Sequence, residues 1–133
     1  EKDDELLHQL QKKLNNNGKI LITVPAFKFL FSEKDRVLKH YRRYNFKEIK
    51  TLAERYFKIT KLSYFNFFLF FPIATSILFL KIFNIKFIDY AETTPNFLLN
   101  KIFHWIFSFE KIFLNFINFP FGISIILLGE KKQ

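Results

Sequence analysis

The feature that most constrains the fold of this chain is an apolar run that follows Asn-Asn-Gly and meets a proline. Residues 19–27 read Lys-Ile-Leu-Ile-Thr-Val-Pro-Ala-Phe. An unbroken run of apolar and β-branched residues predicts a strand buried on both faces, and favours an internal strand of a parallel sheet over an alternating, half-exposed strand. Open parallel sheets bind ligands at the carboxyl ends of their strands, so we expect functional residues just after Val24.

The segment before this strand predicts a helix that ends in a tight turn. Residues 3–5 are acidic, as expected where a helix begins, and leucines recur at helical spacing from Leu6 to Leu14. Residues 15–18 read Asn-Asn-Asn-Gly, which is a stop signal in which Gly18 or an asparagine takes the left-handed conformation.

The segment after the strand predicts a helix and two further strands. Asn45 is expected to cap the helix, with Glu48 in the capping-box position. Residues 58–65 are expected to form the second strand, and residues 123–128 the last one. A strand, a helix and a strand in this order predict a right-handed crossover between parallel strands.

Two uncharged stretches, residues 62–80 and 112–129, suggest a Phe-rich insertion of helices. Each has nearly the length of about 20 apolar residues that a membrane span requires, but prolines and asparagines interrupt both. A helix is predicted from Asn96 to about residue 113. Three interpretations of the apolar segments stay open: protein core, a membrane-facing amphipathic surface, and a transmembrane hairpin, which the interruptions disfavour.

Composition limits the classes of protein that remain. The chain has 133 residues, enough for one domain, and it is 50% hydrophobic and 20% aromatic, which excludes a disordered chain. Its formal charge of +9 attracts anions. It has no cysteine, which excludes disulfides and thiolate metal sites, and no methionine even at position 1. We therefore expect the sequence to be the C-terminal part of a longer protein.

Several blocks together resemble a known family. Val-Pro-Ala-Phe occupies residues 24–27, His-Tyr-Arg-Arg-Tyr residues 40–44, and Leu-Ser-Tyr-Phe-Asn residues 62–66. Glu110 and the Pro-Phe-Gly-Ile-Ser block at residues 120–124 follow in the same order. This arrangement is similar to the second half of a class I S-adenosylmethionine-dependent methyltransferase of the bacterial type-11-like subgroup, and the resemblance covers nearly the whole chain.

The resemblance implies a partial Rossmann-like α/β fold. It assigns the fifth strand to residues 19–25, the sixth to residues 58–65 and an antiparallel seventh to residues 123–128. The domain portion then divides into residues 1–66 (helix, strand, crossover helix, strand), 67–118 (apolar helical insertion) and 119–133 (last strand and tail).

The implied cofactor is S-adenosylmethionine, but this chain supplies no residue for it. The family's glycine-rich loop and its acidic ribose-binding residue would lie upstream of residue 1, and no G-x-G-x-x-G pattern occurs. The family turn Lys-Pro-Gly-Gly is also replaced, by Asn-Asn-Asn-Gly at residues 15–18. We expect the isolated chain to bind cofactor poorly and to be inactive.

The block at residues 40–44 holds most of the candidate site residues. His40 could accept a proton from a nucleophile near neutral pH. Arg42 and Arg43 could fork onto a phosphate or carboxylate, and Tyr41 and Tyr44 could stack on a planar or sugar ring. In the alternative interpretation this is a solvated loop whose arginines pair with nearby acidic residues, namely Glu33, Asp35 and Glu48.

Two further residues complete the predicted substrate side. Phe27 either lines an apolar pocket or, as the pattern favours, continues the core beneath the loop. Asn66 either touches a ligand at the end of the second strand or ends that strand for conformational reasons. His8 and His104 have no partner at metal-ligand spacing, and Glu33 with Asp35 lacks further ligands, so no metal site is predicted.

The sequence thus favours methyl transfer to an unidentified acceptor, with anionic, lipid-linked and sugar-linked molecules as candidates. The expected location is the cytoplasm, with peripheral contact at the inner face of the membrane. One alternative is a small membrane-associated or membrane-embedded protein without catalysis. A basic nucleic-acid-binding protein is the least favoured alternative, because no recognisable nucleic-acid module is present.

Overall fold

The computed structural model describes residues 2–84 and 96–132, which form an α/β fold with a three-stranded antiparallel sheet. The elements are, in chain order, α1 (Lys2–Lys13), β1 (Lys19–Pro25), a 3-10 turn (Lys28–Leu30), α2 (Glu33–Val37), α3 (Phe46–Ala53), β2 (Phe57–Phe65), α4 (Phe70–Ile82), α5 (Phe97–Phe116) and β3 (Ser124–Lys131). Residues 85–95, in the predicted insertion, lie outside the described part of the chain.

The strand order is β1-β3-β2, and β3 is antiparallel to both neighbours. In the central register Ile125 faces Val24 on one side and Tyr64 on the other. β1 and β2 therefore run in the same direction, as predicted, but they do not pair with each other. The prediction of a parallel sheet around β1 is wrong. The segment between α5 and β3 meets the sheet at the carboxyl end of β2, where Phe119 bridges Tyr64. Because β3 starts at that end, it runs in the direction opposite to β2.

The prediction that β1 is buried on both faces is also wrong. Its exposure alternates along the strand, and Leu21 is 62% exposed. Among the described strands β1 lies at the edge of the sheet. Ile22 and Val24 pack against the core, whereas Leu21 and Thr23 point to the other face, which is open at this edge. A continuous apolar run does not show whether a strand is buried on one face or on both, because the elements that cover the strand are distant in sequence.

The core lies between one face of the sheet and α3. Ile125 and Leu127 of β3 are fully buried there, next to Ile49 and Ala53 of α3. On the opposite face α5 approaches the carboxyl end of β2, and Leu114 reaches the core cluster. Within residues 2–84 and 96–132, the sheet is thus covered on both faces near β2 and on one face near β1.

Local signals account for the helix boundaries. The side chain of Asn45 accepts a hydrogen bond from the backbone N–H of Glu48 at 2.8 Å, and the Glu48 carboxyl accepts one from the Asn45 N–H at 3.0 Å. This confirms the predicted capping box of α3. Asn17 takes the left-handed conformation after α1, with φ at 63°. Asn96 caps α5 by accepting from the Leu99 N–H at 2.8 Å.

Helices α4 and α5 expose an unusual amount of apolar surface. Trp105 is 69% exposed, and exposed side chains on the same two helices include Phe71, Phe79, Ile82, Phe97, Leu98, Ile112 and Phe116. In residues 2–84 and 96–132, no helix combines the length and the apolar character needed to cross a bilayer.

Candidate functional site

A buried ion pair organises the loop that follows β1. Asp35 of α2 is 2% exposed, and its two oxygens accept hydrogen bonds from Nε of Arg43, both at 3.1 Å. The Nη2 of Arg43 donates to Asp35 Oδ2 at 3.0 Å, and Nη1 donates to the carbonyl of Ala26 at 3.0 Å. The guanidinium therefore ties α2 to the residue that directly follows β1.

Asp35 also fixes the start of its own helix. The backbone N–H of Ser32 donates to Asp35 Oδ2 at 2.9 Å, and the Ser32 hydroxyl donates to the same oxygen at 3.2 Å. Burial by itself raises the pKa of the Asp35 carboxyl, but the hydrogen bonds from Arg43 and Ser32 and the charge of Arg43 outweigh it. The pKa of Asp35 therefore lies below its ordinary value.

His40 is attached to the same carboxylate. Its backbone N–H donates to the Asp35 carbonyl at 2.7 Å, and its Nδ1 lies 3.4 Å from Asp35 Oδ1. The side chain is 42% exposed. If Nδ1 carries the proton and faces Asp35, the free Nε2 is the atom able to accept a proton from a bound molecule.

Arg42 and Tyr44 are held by α1. The Tyr44 hydroxyl donates to Asp3 Oδ2 at 2.6 Å, Arg42 forms an ion pair with the same carboxylate, and the Arg42 guanidinium lies 4.5 Å from the centre of the Tyr44 ring. The pKa of Tyr44 is raised, chiefly because the hydroxyl is partly buried and secondly because it donates a hydrogen bond to Asp3. The Tyr44 backbone extends the edge of β1, because its N–H donates to the Pro25 carbonyl at 2.9 Å.

Phe27 lies in an aromatic cluster at the end of β1. Its ring stacks on Tyr64 with the ring centres 5.1 Å apart, and the Phe70 ring of α4 packs against it in a T-shaped arrangement with the ring centres 5.6 Å apart. The backbone N–H of Phe27 donates to the Tyr44 carbonyl at 2.9 Å, and its φ of 61° is uncommon for an aromatic residue. These contacts correspond to the core role that the sequence favoured for Phe27.

Asn66 lies at the carboxyl end of β2 and lines a cleft against α5. It takes the left-handed conformation, with φ at 61°. Glu110 of α5, only 3% exposed, borders the same cleft, and its Oε1 accepts a hydrogen bond from the Phe67 N–H at 3.1 Å. Within the described residues, Asn66 Oδ1 and Glu110 Oε2 are buried without a hydrogen-bond donor.

The structure thus brings some of the predicted site residues together and separates others. His40 and Arg43 meet at Asp35, and one backbone hydrogen bond joins Phe27 to Tyr44. Tyr41 is 93% exposed, and Asn66 lines a different cleft. The alternative in which the arginines pair with nearby acids matches the contacts of Arg43 with Asp35, whereas Arg42 pairs with α1 instead.

Two residues of this region escaped the sequence analysis as site residues. The sequence analysis assigns Asp35 no role in the site, but its spacing from Ser32 is that of a capping box and indicates the fixed loop. Glu110 is the only acidic residue between residues 93 and 129, and a lone acid in so apolar a stretch was the available signal.

The described residues do not fit S-adenosylmethionine by themselves. Gly18 precedes β1, Gly122 lies against the backbone of Phe65, and Gly129 lies inside β3, so none of them forms a turn from a strand into a helix. Such a turn is what places backbone N–H groups around the cofactor in Rossmann-like folds. In residues 2–84 and 96–132 there is also no cluster of three acidic or histidine side chains able to hold a metal ion.

A comparison of the chain with protein-family models, with curated proteins and with solved structures finds no match. The methyltransferase resemblance therefore depends on the sequence motifs alone.

Proposed function

We propose that this chain is the C-terminal part of an S-adenosylmethionine-dependent methyltransferase with a Rossmann-like fold, and that it forms the side of the crevice that binds the methyl acceptor. One observation carries the proposal: the Asp35–Arg43 ion pair anchors the block at residues 40–44 to Ala26, directly after β1. Ligands of open α/β sheets bind at the carboxyl ends of strands.

The sheet geometry supports this assignment. Pro25 and Phe65, the last residues of β1 and β2, both pair with Ser124, so the carboxyl ends of the two strands lie side by side at one end of the sheet. Phe27 and Asn66 follow the strands at that end. The antiparallel last strand implied by the resemblance also has a counterpart in β3.

The side chains divide into three roles in this proposal. His40 accepts the proton that a hydroxyl or amine acceptor loses, and Asp35 positions its ring. Tyr41, which is exposed, is free to cover the acceptor. Arg43 stabilises the loop. The cofactor supplies an activated methyl group, and other residues than those described would have to bind it.

Methylation of acceptors by the natural polypeptide containing these residues tests the proposal. The protein is incubated with S-adenosylmethionine carrying a radioactive methyl group and with fractions of the source cell, and label is measured in each fraction. We expect incorporation, and we expect His40→Gln to lower its rate by about 100-fold or more, the usual contribution of a general base.

His104→Gln is the matched control, because His104 is exposed on α5, away from Asp35. It should leave incorporation unchanged. If no fraction accepts label, the methyltransferase proposal is wrong. If label is incorporated equally with Gln at position 40, the role of His40 is wrong while methyl transfer stands.

The exposed surface of α4 and α5 favours a second, compatible function, which is binding to the surface of an anionic membrane. Residues 67–84 and 96–129 contain three lysines and a single acid, Glu110, which is buried. The exposed part of these helices is therefore apolar and basic, the combination that binds at a negatively charged lipid interface.

Co-sedimentation with vesicles tests membrane binding. We expect the chain to bind vesicles rich in phosphatidylglycerol more strongly than vesicles of phosphatidylcholine, and Trp105→Glu to weaken that binding. Leu6→Glu makes the same charge change at an exposed leucine of α1 and should have a smaller effect. Equal binding of both variants would contradict a membrane-facing role for α5.

A further inference from the structure

The cleft between β2 and α5 contains two buried oxygen atoms that lack donors in the described part of the chain. They are Oδ1 of Asn66 and Oε2 of Glu110. A buried acceptor without a donor destabilises the folded state, because it has lost its hydrogen bonds to water and gained none in return. Folding alone gives no reason to hold two such atoms beside one cleft, whereas a ligand that donates hydrogen bonds to both would remove the cost.

The cleft has the size and the lining of a small-molecule site. Its volume is about 470 Å³. Small-molecule pockets usually enclose about 300–1,000 Å³ and combine apolar walls with a few polar groups. The apolar walls here are Phe65, Phe107, Leu114 and Ile126.

The polar groups specify the kind of ligand. Glu110 and Lys111 both line the cleft, so the lining carries one acid and one base and does not select a strongly charged ligand. Two acceptors require two donors, which a pair of hydroxyl groups supplies. Aromatic and aliphatic walls suit the apolar face of a ring that carries such hydroxyls.

We propose that the cleft between Asn66 and Glu110 binds a neutral polyhydroxylated ring, such as a sugar, through two hydroxyl groups that donate to Asn66 Oδ1 and Glu110 Oε2. None of the residues 40–44 lines this cleft, so binding of the ring does not depend on the proposed function.

Octyl β-glucoside below its micelle-forming concentration is a suitable probe, with the 133-residue chain observed by nuclear magnetic resonance. The reporter is the backbone N–H of Phe67, which donates to the other oxygen of Glu110 at 3.1 Å. We expect a saturable shift of this signal. Permethylated octyl glucoside keeps the ring and the chain but has no donor, and we expect it to leave the signal unshifted.

Two variants remove the acceptors one at a time. Asn66→Gly removes the amide oxygen while keeping a residue that accepts the positive φ of 61°, so folding is expected to be preserved. Glu110→Gln keeps the shape of the side chain. Each should weaken binding at least about fivefold, whereas Glu54→Gln, the same change at an exposed residue, should not.

The inference is overturned if no saturable shift occurs or if the permethylated probe shifts the same signal. It is also overturned if either Asn66→Gly or Glu110→Gln binds octyl glucoside as tightly as the unchanged chain. Methyl β-glucoside, which lacks the octyl chain, distinguishes a free sugar from a lipid-linked sugar as the natural ligand. If it binds as tightly as octyl β-glucoside, the ligand is a free sugar; if only octyl β-glucoside binds, the ligand is lipid-linked. Glucoside binding without methyl transfer would contradict only the proposed function.

Discussion

The ion pair of Asp35 and Arg43 is the residue-scale feature on which the candidate site depends. Both side chains are buried, and four hydrogen bonds from the guanidinium end on Asp35 and on the Ala26 carbonyl. A buried ion pair is costly to form, but removing one partner is costlier, because the other charge then stays buried and uncompensated. We infer that this pair holds the loop between β1 and α3 in one conformation.

We expect Asp35→Asn to lower the free energy of unfolding by about 3–5 kcal/mol, because it leaves the Arg43 charge unpaired. Urea denaturation followed by circular dichroism measures the change. Glu33→Gln is the matched control, since the Glu33–Arg36 pair is exposed and contributes less than about 1 kcal/mol. An equal decrease in the free energy of unfolding for the two variants would show that the buried Asp35–Arg43 pair stabilises the fold no more than an exposed pair does.

The pKa of Asp35 also predicts how stability depends on pH. Because the folded state lowers this pKa below the ordinary 3.8, the carboxylate contributes stability that is complete above that value. The contribution is lost as the pH falls through the folded-state pKa. Urea denaturation at pH 6 and pH 3 should therefore show a smaller decrease in stability for Asp35→Asn than for the unchanged chain. An equal decrease would mean that other carboxyl groups account for the acid sensitivity.

At the scale of elements, the loop before β3 lies close to the end of β2. This contact restricts the size of the side chain at residue 122. A Cβ on Gly122 would lie 2.4 Å from the Phe65 carbonyl oxygen and 3.0 Å from its carbonyl carbon and nitrogen. These are backbone atoms of a paired strand, so they cannot move away as the end of a flexible side chain could.

We expect Gly122→Ala to destabilise the chain by about 1–3 kcal/mol or more, and to disturb the neighbouring Asn66. Thermal unfolding measures the first effect, and the amide signals of Asn66 report the second. Gly129→Ala is a graded comparison, because the added Cβ would meet the Phe57 Cβ at 3.0 Å and no closer atom. If Gly129→Ala were the more damaging change, the backbone contact at Gly122 would not be the limiting one.

At the scale of the whole molecule, the outer edge of β1 is the place where further structure could attach. The Ala26 N–H donates to Ile123 on the β3 side, and the Phe27 N–H donates to Tyr44 on the outer side. By the alternation of a strand, the N–H groups of Leu21 and Thr23 point outward, where no described strand pairs with them.

We expect the amides of Leu21 and Thr23 to exchange with solvent much faster than those of Ile22 and Val24 in the 133-residue chain. Hydrogen exchange followed by nuclear magnetic resonance makes the comparison within one strand, so Ile22 and Val24 serve as internal controls. Slow exchange at all four positions would mean that the outer edge is already covered, by another part of the chain or by a second copy. In a longer polypeptide that continues the sheet, Leu21 and Thr23 should become protected.

Much of the element structure was predictable from local sequence. The Asn45 capping box, the left-handed asparagine after α1, the start of α5 at Asn96 and the positions of the three strands all depend on neighbouring residues, and all agree with the structure. The short helix α2 is not among the predicted elements, although Ser32 and Asp35 have the spacing of a capping box. Its cap uses the same carboxylate that binds Arg43.

What the sequence by itself determined is the set of elements and the chemical character of the residues at their ends. Only the tertiary structure decided that β3 runs between β1 and β2, that Leu21 faces outward, and that Glu110 meets Asn66 across a cleft. The physical reason is distance along the chain. Caps and turns are stabilised by residues a few positions apart, whereas strand order, burial and orphaned acceptors depend on elements that lie tens of residues apart and meet only on folding.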